Sequence, residues 1–209
     1  VSDGNSGGNY NVTYVNNTNS TINKANLVLT TSNVTKTYDG TTTVAGTATA
    51  TSGTQVFSGD TLSGGTFVFN NKNAGTGKTV TTSGVTVNDG NSGGNYNVSY
   101  VDNTSSTINR ANLVLTTTDI TRTYDGTTAA AGTATATSGT QVFSGDSVSG
   151  GTFAFTNKNA GTAKTVTVSG VTVNDGNSGN NYTVSYADNT TSTINKATLV
   201  LSTTDVTKT

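Results

Sequence analysis

Three sets of residues have types and spacings that could do chemistry. In "DGNSGGN", residues 89 to 95, the side-chain oxygens of Asp89, Asn91 and Asn95 gather among glycines, the composition of a loop that could hold a hard cation such as Ca2+. The word stands also at 3 to 9, and as "DGNSGNN" at 175 to 181. Each copy brings one carboxylate and no acidic residue to close the ring, so a polar hairpin loop is the favoured reading and no metal site is assigned. In "KTYDGTT", 36 to 42, and "RTYDGTT", 122 to 128, an aspartate beside a tyrosine could act as an acid, a base or a ligand. No second reactive group accompanies it, and Asp-Gly is a strong turn signal. Tyr38 and Tyr124 therefore read as partly buried anchors, and Asp-Gly as the turn joining two strands. Lys72, Lys78, Lys158 and Lys164 lie near asparagines, the pairing from which an intramolecular amide can form with loss of ammonia. Such a bond needs a buried carboxylate as proton shuttle, which only Asp39, Asp60 and their copies could supply.

What is missing narrows the chemistry further. The 209 residues contain no His, Cys, Met, Trp or Pro, and all eleven acidic residues are Asp. The usual general base, the thiolate nucleophile, the nitrogen and sulfur metal ligands and half the carboxylate repertoire are thus absent. An enzyme is not expected, and no catalytic or cofactor-binding residue is assigned. Ten Lys and Arg, thinly spread in a chain of net charge -1, form no basic stripe, so nucleic acid is not an expected partner. No apolar run approaches the ~18 residues that suggest a membrane span, and no charged and apolar leader opens the sequence, so an export signal would lie outside it.

The elements that must position these residues come as copies. "VSDGNSGGNYNVTYV" at 1 to 15 becomes "VNDGNSGGNYNVSYV" at 87 to 101 and "VNDGNSGNNYTVSYA" at 173 to 187, a period of 86. Residues 1 to 86 and 87 to 172 agree at about four-fifths of positions. A period of this length is too long for a solenoid coil and long enough for a small domain with its own core. The expected organisation is the end of a preceding repeat at 1 to 24, complete repeats at 25 to 110 and 111 to 196, and the first strand of a following repeat at 197 to 209.

Within a repeat the apolar residues alternate. "TFVFN" at 66 to 70 puts Phe67 and Phe69 on one face, "NYNVSYV" at 95 to 101 does so with Tyr96, Val98 and Tyr100, and "GTATATS" at 46 to 52 sets Ala48 and Ala50 against threonine. "ANLVLT" at 111 to 116 and "VTVSGVTV" at 166 to 173 are β-rich. Breaks are expected at "SGD" (58 to 60), "SGG" (63 to 65), "NKNAGTGK" (71 to 78), "SG" (83 to 84) and "DGNSGGN" (89 to 95). The sum is an all-β chain of about seven strands per unit, each unit a small β-sandwich-like or compact mixed-sheet domain, arranged end to end.

In order, "KxYDGTT", "FxGD", "KNAGTGKxV", "GVTV", "GNYxV" and "SxTINK/RA" resemble the YDG-type repeat of large secreted bacterial surface proteins, filamentous-haemagglutinin-like adhesins among them, where it occurs beside repeats called MBG. The resemblance covers 25 to 110 and 111 to 196. It implies an extracellular stalk or spacer that carries a binding region away from the cell or biofilm surface. Its partners would be neighbouring repeats or other copies of the chain, with surface glycan or matrix polysaccharide met by regions outside this segment. One departure is that the junctions read "INKA", "INRA" and "INKA", without the Pro common in the family. Two other functions are weighed beside it: a self-assembling filament or sheath built by strand sharing between chains, and a carbohydrate-binding module using Tyr10, Tyr96 and Tyr182.

Overall fold

The computed structural model describes residues 1–208 and contains strands and turns, with no helix among them. In the first repeat the strands are β1 (Ala25–Thr31), β2 (Thr35–Thr37), β3 (Thr43–Val44), β4 (Ala48–Ala50), β5 (Thr61–Phe69), β6 (Gly75–Asn88), β7 (Tyr96–Tyr100) and β8 (Asn103–Asn109). They form two sheets, a three-stranded one in the order β4-β1-β7 and a five-stranded one in the order β2-β8-β6-β5-β3. Two pairs are parallel, β1 with β7 and β2 with β8. Two consecutive strands at the start of the repeat therefore run beside two consecutive strands at its end, and both pairs step together from one sheet to the other. Asn103 clasps this crossing: its Nδ2 donates to the Thr31 carbonyl at 3.1 Å, and its Oδ1 accepts from the buried Ser106 hydroxyl at 2.7 Å.

The hairpin of β5 and β6 serves both sheets. Leu62, Val85 and Val87 pack with Leu27, Leu29 and Tyr96 under the three-stranded sheet, while Phe67, Phe69 and Val80 pack with Ile108 under the five-stranded one. The hairpin changes core where Gly64, Gly65 and Gly84 take φ of 65°, 102° and 64°, between the register pairs Gly64↔Val85 and Thr66↔Ser83. Only glycine adopts these angles cheaply, and a Cβ on Gly65 would stand 3.0 Å from a Val85 methyl. "SGG" and "SG", expected as breaks, are thus bends inside two continuous strands. Each repeat has eight strands where about seven were expected, and two of them, β2 and β3, are only three and two residues long.

The second repeat has the same eight elements: β9 (Ala111–Thr117), β10 (Thr121–Thr123), β11 (Ala129–Ala130), β12 (Ala134–Ala136), β13 (Ser147–Phe155), β14 (Gly161–Asn174), β15 (Tyr182–Tyr186) and β16 (Asn189–Asn195), paired as in the first. Residues 10–24 and 196–208 repeat strand sequences yet form no strand, and their side chains are exposed. Leu27, Leu29, Leu113 and Leu115 are fully buried, whereas Leu199 and Leu201 of the matching word "TLVLS" are 78% and 82% exposed. A first strand exists only where the seventh lies parallel to it, so strand formation here is decided by contacts about seventy residues away and not by local propensity.

Candidate functional site

The Tyr-Asp-Gly turn is placed by the closure of the five-stranded sheet. β2 and β3 are its opposite edges, yet only residues 38 to 42 separate them, and the Lys36 ammonium on β2 reaches the Thr43 carbonyl on β3 at 3.0 Å. The same ammonium holds the Asp39 carboxylate at 2.7 Å and the Thr41 carbonyl at 2.9 Å. The sheet is therefore curled almost shut, and Lys36 is the stitch across its seam. In the second repeat Arg122 does the same work, donating from Nη1 to Asp125 at 2.9 Å and the Ala129 carbonyl at 2.7 Å, and from Nη2 to the Thr127 carbonyl. The lysine-to-arginine exchange between copies keeps one function.

Asp39 makes the turn itself. Its Oδ1 accepts the Thr41 amide at 2.9 Å and the Thr41 hydroxyl at 2.8 Å, and Gly40 takes φ of 79°. Burial pushes the Asp39 carboxyl up, but Lys36 and Thr41 together hold it below the usual carboxylate range. The turn expected from the sequence is present, although it joins the two edges of a closing sheet instead of a paired hairpin, and β3 opens at Thr43.

The tyrosine has the larger role. Tyr38 is 1% exposed, and its partners belong to the next repeat. Its hydroxyl donates to Asp146 Oδ2 at 2.7 Å, and its ring meets Phe143 and Tyr182 edge-on, with centroids 5.7 and 5.3 Å away. Phe143 and Tyr182 lie nearly parallel, their rings 20° apart and 6.1 Å between centroids. Tyr182 donates to the same Asp146 oxygen at 2.8 Å and accepts the Phe143 amide at 2.9 Å. Lys72, from the loop before β6, completes the pair with Asp146 Oδ1 at 2.9 Å, and the Asp146 side chain is fully buried. A carboxylate placed so deep needs this set of three charged or hydroxyl donors. Burial and then Asp146 push the Tyr38 phenol up; Tyr182 is pushed up by its burial above all, and Lys72 by its bond to Asp146.

A second polar contact borders the first. The Ala74 amide donates to Asn181 Oδ1 at 2.8 Å, and Asn181 Nδ2 reaches Asn73 Oδ1 at 3.4 Å. Asn181 is fully buried at the end of the Asp175 loop, whose carboxylate accepts the amides of Asn177, Gly179 and Asn181 at 2.7, 2.8 and 2.9 Å. Burial pushes the Asp175 carboxyl up and these three amides hold it low. The apolar core also continues through the boundary: Val34, Tyr38, Phe67, Phe69, Val80 and Ile108 form one cluster with Ala111, Leu113, Leu115, Val173 and Tyr182. Arg110 alone connects β8 to β9. The arrangement can transmit force and orientation from one repeat to the next.

The other residues singled out from the sequence fall as follows. Asp89 accepts the amides of Asn91, Gly93 and Asn95 at 2.8, 2.8 and 3.0 Å, and Asn91 donates to Asn95, so the oxygens of the candidate cation loop are turned toward the loop's own N–H groups. Asp3 holds the same turn in residues 3 to 9, where no sheet surrounds it, which makes the loop a locally determined unit. Among the described residues no group of three or more His, Cys, Asp or Glu could hold a metal ion. Lys78 donates to Asn71 and Lys164 to Asn157, and Asp39 and Asp60 are held by Lys36 and Tyr96, while Lys72 meets the buried carboxylate of Asp146, the copy of Asp60; among the described residues no lysine is hydrogen-bonded to both an asparagine and a carboxylate. Tyr96 and Tyr182 are buried, whereas Tyr10 is exposed. In β7 only Tyr96 of the expected face is fully covered, Val98 and Tyr100 being partly exposed. Sequence reasoning missed Phe143, Asp146 and Lys72 as one site, although "FSGD" and "KNAG" stand in both copies. Among the described residues no helix is long and apolar enough to cross a membrane. A scan of protein families matches the YDG domain twice in tandem, at residues 22–106 and 109–193. Neither a curated protein nor a solved structure matches the chain.

Proposed function

The chain belongs to the YDG domain family, and on that premise we propose that its repeats are spacer units of a secreted bacterial surface adhesin or extracellular fibre, setting the distance between a binding region and the surface that carries it. The observation that carries this reading is the junction: a shared apolar core, the Tyr38–Asp146–Lys72 cluster and a one-residue connection make two repeats into one stiff body. A radius of gyration of roughly 12 Å per repeat means that each copy adds a few nanometres of reach. The reading assigns the chain no reaction, in keeping with its lack of His, Cys and Glu, and it makes the Asp89-type loops turns that carry no calcium. Burial of Tyr96 and Tyr182 weighs against a carbohydrate platform.

The test is reach itself. A receptor-binding domain displayed on bacteria through two, four or eight copies of the repeat should bridge to a target held at increasing distance in proportion to copy number. Bridging that does not change with copy number contradicts the spacer role. A second reading, a filament built by exchanging strands between chains, is favoured by residues 10–15 and 197–201, which carry strand sequences without ladder partners. Electron microscopy at high protein concentration separates the two, since discrete short rods contradict the filament.

A further inference from the structure

Tension along the chain enters a repeat at the start of β1 and leaves it at the end of β8, and the strands that receive this load belong to one parallel ladder. β1 lies beside β7 from the pair Ala25↔Tyr96 to Leu29↔Tyr100, and β2 lies beside β8 from Thr35↔Thr107 to Thr37↔Asn109. Because both pairings are parallel, Ala25 stands at one end of the combined ladder and Asn109 at the other. A pull between them slides the first two strands along the last two and loads every rung at once, instead of opening the rungs one after another. The second repeat has the same arrangement in β9 with β15 and β10 with β16. Only Arg110 separates β8 from β9, so load passes from one ladder to the next without slack.

The ladder is continued by side chains where it steps between sheets. Asn103 Nδ2 donates to the Thr31 carbonyl at 3.1 Å and to Asn33 Oδ1 at 2.9 Å, the Val34 amide donates to the Ser106 hydroxyl at 3.1 Å, and the Thr107 amide to the Val34 carbonyl at 2.9 Å. In the second repeat Asn189 donates to the Thr117 carbonyl at 3.2 Å and to Asp119 at 2.8 Å, and the Ile120 amide to the Ser192 hydroxyl at 2.9 Å. Ser106 and Ser192 are fully buried, and Leu27, Leu29 and Ile108, with their copies Leu113, Leu115 and Ile194, back the ladder from the core side. Water has little access to the bonds at the step, so stretching them leaves buried amides and hydroxyls without a substitute partner. We propose that each repeat is a force-bearing unit, in which the ladder of β1–β2 with β7–β8 is a shear clamp against tension along the chain. The inference rests on the spacer reading and extends it from setting a distance to holding a load across that distance. Forced unfolding is governed by the unfolding rate, and a ladder that must give way in one step presents a higher barrier than one that frays from an end.

Single-molecule pulling of the full chain in two directions is the test. The chain has no cysteine, so handles attach only where cysteines are introduced. Lys24→Cys with Arg110→Cys, both exposed and just outside the ladder, loads the first repeat in shear. Asn26→Cys with Asn97→Cys, exposed positions that face each other across β1 and β7, peels the same ladder from one end. At one loading rate the shear pair should need several times the force of the peeling pair. Ser106→Ala, which takes the acceptor from the Val34 amide, should lower the shear force and leave the peeling force nearly unchanged, whereas a general loss of stability would lower both. Equal forces in the two directions overturn the clamp, and so does a Ser106→Ala chain that weakens alike in both. Neither result touches the spacer reading, which fails only if bridging does not grow with copy number.

Discussion

Tyr38 and Tyr124 occupy the same position of the same word, yet one is a core residue and the other lies at a surface. The difference is a prediction about energies. Tyr38→Phe keeps the ring and removes a hydrogen bond to a buried carboxylate, which should cost about 1.5–3 kcal/mol in urea unfolding, while Tyr124→Phe should stay within about 0.5 kcal/mol of wild type. Equal costs would mean that Asp146 does not hold Tyr38 as described. The cluster also sets a pH window. The Tyr38 and Tyr182 phenols and the Lys72 ammonium all have folded-state values raised above their ordinary 10.0 and 10.5, so their contribution is complete below about pH 10 and is lost as the pH climbs through the folded values. Thermal midpoints measured between pH 8 and 12 should fall steeply at the alkaline end, and less steeply in Tyr38→Phe, which has one group fewer to titrate. On the acid side, Asp175 contributes above the ordinary 3.8 and loses that contribution as the pH falls through its lower folded value. Calcium should leave the midpoint unchanged, since the Asp89 oxygens accept backbone amides; a rise of several degrees would restore the cation loop. At this scale the sequence showed the residues and not their partners. Tyr38 and Asp146 are 108 positions apart, and an 86-residue period makes the buried and exposed copies look identical.

At the scale of elements, the long β5–β6 and β13–β14 hairpins are the parts that give each repeat two cores, and their glycine bends are the most sensitive points. Gly65 and Gly151 sit at φ of 102° and 104°, with a valine methyl 3.0 and 2.8 Å from where a Cβ would be. Gly53, at φ of 86°, has nothing within 4 Å. Alanine at Gly53 should therefore cost only the conformational penalty of about 1–2 kcal/mol, and alanine at Gly65 or Gly151 clearly more, as measured by denaturant midpoints. All-β character was legible: the strand holding Phe67 and Phe69 from alternation, because apolar residues two apart have one physical meaning on a pleated surface, and the strand holding Leu113 and Leu115 from its content of Val, Leu and Thr. The "SGG" and "SG" words misled for an equally physical reason: positive φ serves a bend within a ladder as well as a turn that ends one. The parallel pairing of β1 with β7 and of β2 with β8 had no local signature, and the two short edge strands exist only because their partners do.

For the whole molecule the consequence is mechanical. Three apolar clusters follow one another along the chain, and the middle one is built by both repeats. Separate beads on a string would have the two outer clusters and no cluster in common. Repeats coupled in this way should unfold together, so calorimetry of the wild type should give one transition and Asp146→Ala, which leaves Tyr38 and Lys72 without their acceptor, should split it into two. The most direct test is the distance between the repeats. The chain has no cysteine, so Ser83→Cys and Ser169→Cys place one spin label at an exposed, equivalent position in each repeat. Pulsed electron spin resonance should return a single narrow distance that broadens when Asp146→Ala is added, whereas a distribution already broad in the otherwise wild-type chain would contradict a stiff, core-sharing spacer.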